Sequence, residues 1–202
     1  MREYLDMLPA IEGLRYVPDY LDQATHDSLL SLVDLHPWLW TVDHRFQAYG
    51  YRYHHPTRSV LPIGELPGWA SELAIRLRRD GLVPAVPNQM VVNDYEAGSG
   101  FFAHVDQAAF GDSVASVSLG SSCVIQFSKL DEQRSEDILL EARSVLLLSG
   151  EARWNWRHGI PARAADAWQQ EERPRSRRVS LTFRIVPTAA NRRCSQRRFL
   201  PL

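Results

Sequence analysis

Asn93-Asp-Tyr-Glu-Ala-Gly-Ser-Gly-Phe-Phe-Ala-His104-Val-Asp106 is the stretch that decides how the rest of this 202-residue chain is interpreted. His104 and Asp106 are two residues apart, so on an extended chain both side chains point to the same face. An imidazole and a carboxylate placed in this way can bind one metal ion. A surface His-Asp pair has the same spacing, so the metal interpretation needs support from other parts of the chain.

The residues around this stretch predict a mainly β domain. From about residue 88 onward, short apolar segments are separated by turn residues, most clearly at Gly98-Ser-Gly100, Gly120-Ser-Ser and Ser149-Gly150. Many short strands at this spacing favour a sandwich, a jelly roll or a barrel. The polar residues 162–177 are expected to form a loop. We expect strands over residues 89–95, 114–119, 123–127, 138–142, 145–148, 154–158 and 179–186.

Two amphipathic helices are expected before the strands. Residues 22–36 place Leu29 and Val33 on one side, and Pro37 helps to end that helix. Residues 67–79 place Leu73 and Leu77 on one side, and Gly81 is suited to the position just past a helix end. The sequence therefore predicts a mainly β fold with N-terminal helices (α+β).

A third metal ligand is offered by His158, in the segment Trp154-Asn-Trp-Arg-His158-Gly. Enough chain separates Asp106 from His158 for several strands to return it to the same site. Two His and one carboxylate on one face are typical of non-haem Fe(II) sites, where the remaining positions stay open for other ligands. The alternative is a structural His at the end of a strand.

The segment Arg178-Val-Ser180-Leu-Thr182-Phe-Arg184 provides groups that recognise a dicarboxylate. Its two Arg residues share one face of a strand, and their Cα atoms would be roughly 20 Å apart. Long side chains leaning inward leave a gap suited to a five-carbon diacid, and Ser180 and Thr182 offer hydroxyls on the same face. Alternatively, this face is simply the solvent side of an antiparallel strand.

Taken together, Asn93-x-Tyr95, His104-x-Asp106, His158-Gly-Ile and Arg178-x5-Arg184 resemble the AlkB family of Fe(II)/2-oxoglutarate dioxygenases. The order and spacing match from about residue 44 to residue 186. The segment from Ala109 to Ser121 further resembles the branch that contains the AlkB-like domain of the eukaryotic tRNA wobble-uridine hydroxylase. The resemblance implies a double-stranded β-helix, which is a jelly-roll variant, with a nucleotide-recognition lid.

The resemblance also implies roles for individual residues. Fe(II) would be bound by His104, Asp106 and His158. The distal carboxylate of 2-oxoglutarate would pair with Arg178, with Arg184 near the carboxylate that chelates iron, and O2 would complete the reaction. Further co-substrate contacts would come from Asn93, Tyr95, Ser180 and Thr182, and Ser180 stands where some members have Asn.

The segment Tyr49-Gly-Tyr51-Arg52-Tyr53 looks like the family's nucleotide-recognition lid. Aromatic residues at alternate positions share a face on a strand and can stack on a base, while Arg52 can meet phosphates. A core-facing hairpin is the alternative. Ala108 departs from repair-type members, which carry an acid two residues after the metal-binding Asp, so the substrate preference need not follow theirs.

The function expected from these residues is oxidative demethylation of N-alkylated bases in DNA or RNA, which releases succinate, CO2 and formaldehyde. One alternative is a hydroxylase of a modified tRNA base or of a protein side chain. Another is a non-catalytic jelly roll that binds nucleic acid.

Composition supports a partner with phosphates or carboxylates. All but one of the 23 basic residues are Arg, and residues 173–202 contain nine Arg and no acid. A merely solubilising tail is the alternative.

No apolar run is long enough to cross a membrane, and the two Cys residues form no zinc or disulfide pattern. We expect a cytoplasmic monomer, divided into residues 1–87 (helical extension and lid), 88–187 (catalytic core) and 188–202 (basic tail).

Overall fold

The computed structural model describes residues 9–54 and 56–188, and the helices, strands, contacts and cavities of the protein are those of these residues. It contains three α-helices, α1 (Gln23–Asp34), α2 (Gly68–Arg79) and α3 (Gly150–Trp154), and a 3-10 helix (Ala108–Phe110). The strands are β1 (Leu14–Val17), β2 (Leu39–Trp40), β3 (Arg45–Tyr49), β4 (Tyr51–His54), β5 (Ser59–Pro62), β6 (Gln89–Tyr95), β7 (Phe101–His104), β8 (Val114–Gly120), β9 (Cys123–Lys129), β10 (Ser135–Leu140), β11 (Val145–Leu148), β12 (Trp156–Ile160), β13 (Ala165–Trp168), β14 (Glu171–Pro174) and β15 (Arg178–Arg184).

Two antiparallel sheets form the body of the protein. The larger has seven strands in the order β1-β11-β8-β15-β6-β3-β2, and the smaller has four in the order β10-β9-β12-β7. Apolar side chains from both sheets share one core between them, including Ile125, Leu146 and Trp156. This two-sheet arrangement confirms the expected jelly roll, with the space between the sheets available for a site.

Helices α1 and α2 cover the other face of the large sheet. Leu29 and Val33 of α1, and Leu73 and Leu77 of α2, pack in one cluster with buried residues of the large sheet. Asp22 caps α1, because its side chain accepts the Thr25 N–H at 2.7 Å. Both helices are therefore confirmed within a residue or two of the expected bounds.

Helix α2 ends as its sequence predicted. Gly81 has a φ of +71°, the left-handed conformation that glycine adopts without strain. The Gly81 N–H donates to Arg78 O and the Leu82 N–H to Leu77 O, which together form a Schellman cap.

Strand β15 lies near the middle of the large sheet and separates the two cores. It is hydrogen-bonded along its length to β6 on one side and to β8 on the other. Val179, Leu181 and Phe183 point into the helix-covered cluster. The alternate side chains therefore point between the sheets, so the polar side of β15 does not face solvent.

The structure differs from three sequence-based expectations. Trp154 ends the short helix α3 instead of starting a strand, and β12 begins two residues later. Residues 162–177, expected as a loop, contain the β13–β14 hairpin. Residues before 88 are not only a helical extension and lid, because β1, β2 and β3 join the large sheet. The tail expected over residues 188–202 lies almost wholly outside the described residues.

None of the helices within residues 9–54 and 56–188 has the length and hydropathy needed to cross a membrane.

Candidate active site

A cavity of about 380 Å³ lies between the two sheets. Its lining includes nine side chains that the sequence predicted for the metal and co-substrate site. The exposed lining residues are Phe102, with 81% of its surface accessible, and Gln107, so they mark the mouth. The nine predicted residues in the wall are Asn93, Tyr95, His104, Asp106, His158, Arg178, Ser180, Thr182 and Arg184.

Strand pairing places the two His residues side by side. His104 is the last residue of β7, and its Cα partner on β12 is His158. Their ring centroids are 4.8 Å apart. His104 Nδ1 is hydrogen-bonded to Phe102 O at 3.1 Å, which fixes the ring and leaves its other nitrogen free for a ligand.

Asp106 lies just beyond β7 and adds a carboxylate to the two His residues. It is 7% exposed, and its Oδ1 accepts a hydrogen bond from Arg184 Nη2 at 2.7 Å. Its Oδ2 is buried without a hydrogen-bond partner and lies 3.8 Å from His158 Nε2. One carboxylate oxygen is thus fixed by Arg184, and the other is left facing an imidazole.

The electrostatics favour a site that is ready for a cation. Burial alone would raise the pKa of Asp106, but the positive charge of Arg184, the two His residues and Arg153 outweigh it and lower that pKa to about 2. Burial lowers the pKa of His158 to about 4, against the opposing pull of Asp106. Asp106 is therefore anionic and His158 neutral near neutral pH, which are the forms that bind metal ions.

The residues present fit an Fe(II) ion. Among the described residues, no three His, Cys, Asp or Glu side chains are close enough together to hold a metal ion without rearrangement. However, Asp106 Oδ2 is a buried anionic oxygen without a partner, and two metal–ligand bonds of about 2.1 Å reach across its separation from His158. An orphaned buried oxygen beside two imidazoles is the donor set that non-haem iron uses.

Arg178 lies at the start of β15, at the end of the polar face opposite to Arg184 and Asp106. It is 5% exposed, with Nη2 donating to Ser118 Oγ at 3.2 Å and the guanidinium 5.9 Å from the Tyr95 ring centroid. Its Nε is buried without a hydrogen-bond partner, and the described residues provide no carboxylate that forms a salt bridge with it. A buried guanidinium with donors to spare is suited to a carboxylate ligand.

Hydroxyl groups line the cavity wall between the two Arg residues. Ser180 Oγ is hydrogen-bonded to Ser116 Oγ at 3.0 Å and to Thr182 Oγ1 at 3.1 Å. Asn93 faces Ser180 across the β6–β15 ladder. These residues form a polar strip that connects the Arg178 end of the cavity with the end at His104, Asp106 and His158.

The predicted lid segment is divided by the structure. Gly50 has a φ of +76° and separates β3 from β4. Tyr49, on β3, packs against the helix-covered cluster and donates to Gln47 Oε1 at 3.0 Å, so it does not reach the cavity. Arg52 is exposed on the β4–β5 hairpin, and the Tyr53 ring lies 6.1 Å from that of Phe110, a cavity residue. Tyr51 lines a separate groove beside α2.

Two cavity-side residues were missed by sequence reasoning. His44 lines the cavity, is hydrogen-bonded to Asn93 Oδ1 at 3.2 Å, and its ring lies 4.8 Å from that of Tyr95. Arg153 is fully buried behind Asp106. No local pattern pointed to Arg153, because its hydrogen-bond partners, Asp106 O and Gln107 O, lie in a distant part of the chain.

Comparison with known proteins agrees with this geometry. Residues 32–184 match the model of the 2OG-Fe(II) oxygenase superfamily. An Arabidopsis thaliana protein named "Alkylated DNA repair protein ALKBH8 homolog" is 36% identical, over 87% of this chain and 59% of its own length. The mouse "tRNA (carboxymethyluridine(34)-5-O)-methyltransferase ALKBH8" is 32% identical, over 90% of this chain and 31% of its own. The chain thus spans less than two thirds of these relatives.

A solved structure shows the same fold. The structure of OsALKBH1 superimposes with a TM-score of 0.63 at 17% identity, over 88% of this chain and 99% of that one. The fold, the cavity and the family match together define an oxygenase that uses Fe(II), 2-oxoglutarate and O2. Within that superfamily the chain belongs to the AlkB family, and it is similar to the ALKBH8-like branch. It is a 2-oxoglutarate-dependent dioxygenase.

Proposed function

We propose that this dioxygenase oxidises alkylated bases in nucleic acid and removes an N-methyl group. One O2 and one 2-oxoglutarate are consumed for each methyl group, and succinate, CO2 and formaldehyde are released. The observation that supports this most is the joint lining of one open cavity by the His104/Asp106/His158 group and the Arg178/Arg184 pair. The names of relatives, which refer to alkylated DNA repair and to a tRNA uridine, support a nucleic-acid substrate.

The protein's own residues would act by binding and orientation. His104, Asp106 and His158 would hold Fe(II), and bound iron supplies the oxidation of a C–H bond by O2. Arg178 would pair with the distal carboxylate of 2-oxoglutarate, with Tyr95 against it and Asn93, Ser180 and Thr182 along its length. Arg184 keeps Asp106 Oδ1 occupied, so that Oδ2 remains the oxygen available to the metal.

The mouth of the cavity suits a single base. Phe102 is exposed there, and Tyr53 of the β4–β5 hairpin approaches through its contact with Phe110. Stacking of a base on an aromatic ring contributes about 1–3 kcal/mol, and the exposed Arg52 would meet a phosphate. A base inside a duplex must be flipped out to enter, so single strands and damaged sites are favoured.

A second candidate is hydroxylation of a modified tRNA base without loss of a group. Two observations favour it. The ALKBH8 proteins are similar over most of this chain, and the mouse protein's name refers to a carboxymethyluridine of tRNA. In addition, Ala108, which follows the mouth residue Gln107, provides no acid that could bind a base amino group.

The test is product analysis with defined substrates. The protein is incubated with Fe(II), 2-oxoglutarate and, separately, N-methylated DNA and RNA oligonucleotides, tRNA carrying modified wobble uridines, and peptides. Succinate is measured together with the mass of each substrate. Demethylation gives a loss of about 14 Da with formaldehyde, whereas hydroxylation of the tRNA base gives a gain of about 16 Da.

A His104→Ala variant is the matched control, because it removes one proposed metal ligand and is expected to keep the fold. Succinate formation without a mass change in any nucleic acid would contradict the proposed substrate class. A mass gain confined to a peptide would reassign the enzyme to protein hydroxylation.

A further inference from the structure

Asp106 occupies a different structural position from the two His residues. His104 and His158 are held by direct strand pairing between β7 and β12. Asp106 lies between the end of β7 and the 3-10 helix that begins at Ala108, so it belongs to no strand. Some other contact must therefore fix the backbone that presents its carboxylate.

Arg153 makes that contact. Its Nη1 donates to Asp106 O at 3.0 Å and its Nη2 to Gln107 O at 2.9 Å. The two accepting carbonyls are consecutive, and the planar guanidinium fork is shaped for such a bidentate contact. The guanidinium also stacks on Trp154, with its central carbon 4.1 Å from the ring centroid. These contacts fix the position and the orientation of the Asp106–Gln107 peptide group.

The environment of Arg153 is unusual for an Arg that serves packing alone. The residue is 2% exposed, and it forms no salt bridge with any described carboxylate. Its Nε is buried without a hydrogen-bond partner. A buried guanidinium is costly, and an apolar side chain of similar volume would fill this space at lower cost. The two carbonyl contacts are what an apolar side chain could not provide.

The position of Arg153 in the chain adds a second connection. It belongs to α3, which leads through Asn155 into β12 and to His158. One side chain thus joins the segment that carries Asp106 to the segment that carries His158. Together with Arg184, which binds the Asp106 carboxylate directly, it holds this ligand from the backbone side and the side-chain side at once.

We infer that Arg153 is a positioning residue that sets the metal affinity of the site by fixing the Asp106–Gln107 backbone. The inference rests on the assignment of His104, Asp106 and His158 as metal ligands. Outer residues that orient metal ligands typically change metal affinity by about 10–100-fold when they are removed. We expect an effect of that size here, with a smaller effect on 2-oxoglutarate.

The experiment measures metal binding directly. The metal-free full chain is titrated anaerobically with Mn(II), and free Mn(II) is followed by electron paramagnetic resonance. Arg153→Met is expected to raise the Mn(II) dissociation constant at least about tenfold, and Arg153→Lys to give an intermediate value, because a Lys retains the charge but not the fork. The KM for 2-oxoglutarate at saturating metal is expected to change less than about threefold.

Arg157→Met is the matched control, since it removes an exposed Arg from β12 one residue before His158. It is expected to bind Mn(II) as the unchanged protein does. Unchanged Mn(II) affinity in folded Arg153→Met would overturn the inference, and so would failure of both Arg153 variants to fold, because the side chain would then serve the whole fold.

A His104→Ala arm separates this inference from the metal assignment itself. If His104→Ala binds Mn(II) normally, the metal assignment is wrong. If His104→Ala loses Mn(II) while both Arg153 variants keep it, only the role of Arg153 is wrong.

Discussion

At the scale of single residues, the two carboxylate oxygens of Asp106 have different surroundings. Arg184 takes one oxygen and the other is left without a partner. A lone buried oxygen is costly unless something binds it, and so its presence is evidence for a ligand. The same reasoning applies to Arg178, whose donors exceed its protein partners.

The two ends of the cavity should respond differently to substitution. We predict that His104→Ala abolishes succinate formation, because one of the three proposed metal ligands is lost. Arg178→Ala should instead raise the KM for 2-oxoglutarate at least about tenfold, since charge-assisted hydrogen bonds contribute about 1.5–3 kcal/mol. Steady-state succinate assays over a range of 2-oxoglutarate concentrations distinguish the two. An unchanged KM in Arg178→Ala would refute its assignment.

His158 should make the metal-free protein sensitive to mild acid. Burial lowers its pKa from 6.5 to about 4, so the unfolded chain binds a proton between these values while the folded chain does not. Stability is therefore full above about pH 6.5 and falls as the pH drops toward 4. The loss amounts to about 3 kcal/mol at most.

The measurement is urea denaturation of metal-free protein at pH 7 and pH 5. His158→Gln should lose less stability between these two values than the unchanged protein. Equal losses in the two proteins would show that His158 is not the titrating group.

At the scale of elements, the β13–β14 hairpin is held by a buried ion pair. Asp166, 1% exposed, accepts two hydrogen bonds from Arg175 at 2.6 Å each, one from Arg163 Nε at 2.7 Å and one from the Val124 N–H at 3.0 Å. Arg175 also donates to Pro161 O at 2.8 Å and Ser99 O at 3.3 Å. The hairpin is thereby tied to the loop that precedes β7.

Breaking this pair should destabilise the protein strongly. Asp166→Ala leaves a buried guanidinium without its carboxylate, at a cost of about 3–5 kcal/mol. Asp166→Ala/Arg175→Met should recover part of the loss. Glu171→Ala, on the same hairpin, removes an exposed pair with Arg173 and should change stability by less than about 0.5 kcal/mol. Urea denaturation measures all three, and equal losses from Asp166→Ala and Glu171→Ala would contradict the argument.

The β4–β5 hairpin should affect substrate use without affecting the co-substrate. We predict that Tyr53→Ala raises the KM for nucleic acid about fivefold or more, because a stacking surface beside Phe110 is lost. Succinate formed in the absence of nucleic acid should stay the same. Arg79→Ala, on α2 with 70% of its side chain exposed, is the control. An equal fall in succinate formation with and without nucleic acid would show instead that Tyr53 supports the structure of the site.

Comparison of elements shows where sequence reasoning succeeds. Strand β15 was predicted with nearly its observed bounds, because alternation of Arg178, Ser180 and Thr182 with apolar residues is a local signal. Strands β13 and β14 are short and polar, and a buried ion pair with distant partners holds them, so no local pattern revealed them. Arg153 was missed for the same reason.

At the scale of the whole molecule, the site lies where the two sheets face each other, so its ligands should stabilise the entire fold. We predict that Mn(II) with 2-oxoglutarate, each at about 100 times its dissociation constant, adds about 2.7 kcal/mol or more to the unfolding free energy. Thermal melting with and without the ligands measures this. Asp106→Ala should show no metal-dependent gain, and an equal gain in that variant would place the metal elsewhere.

Strand β15 also limits how this protein can change. Every residue from Arg178 to Arg184 serves either the cavity or the core beneath the helices, in strict alternation, with a neighbouring strand on both sides. A substitution here damages one of the two functions of the strand. Insertion or deletion of one residue would exchange them, burying guanidinium groups under the helices and turning Leu181 and Phe183 into the cavity. Variation among descendants of this sequence should therefore accumulate in the hairpins around the mouth, while the length of this strand stays constant.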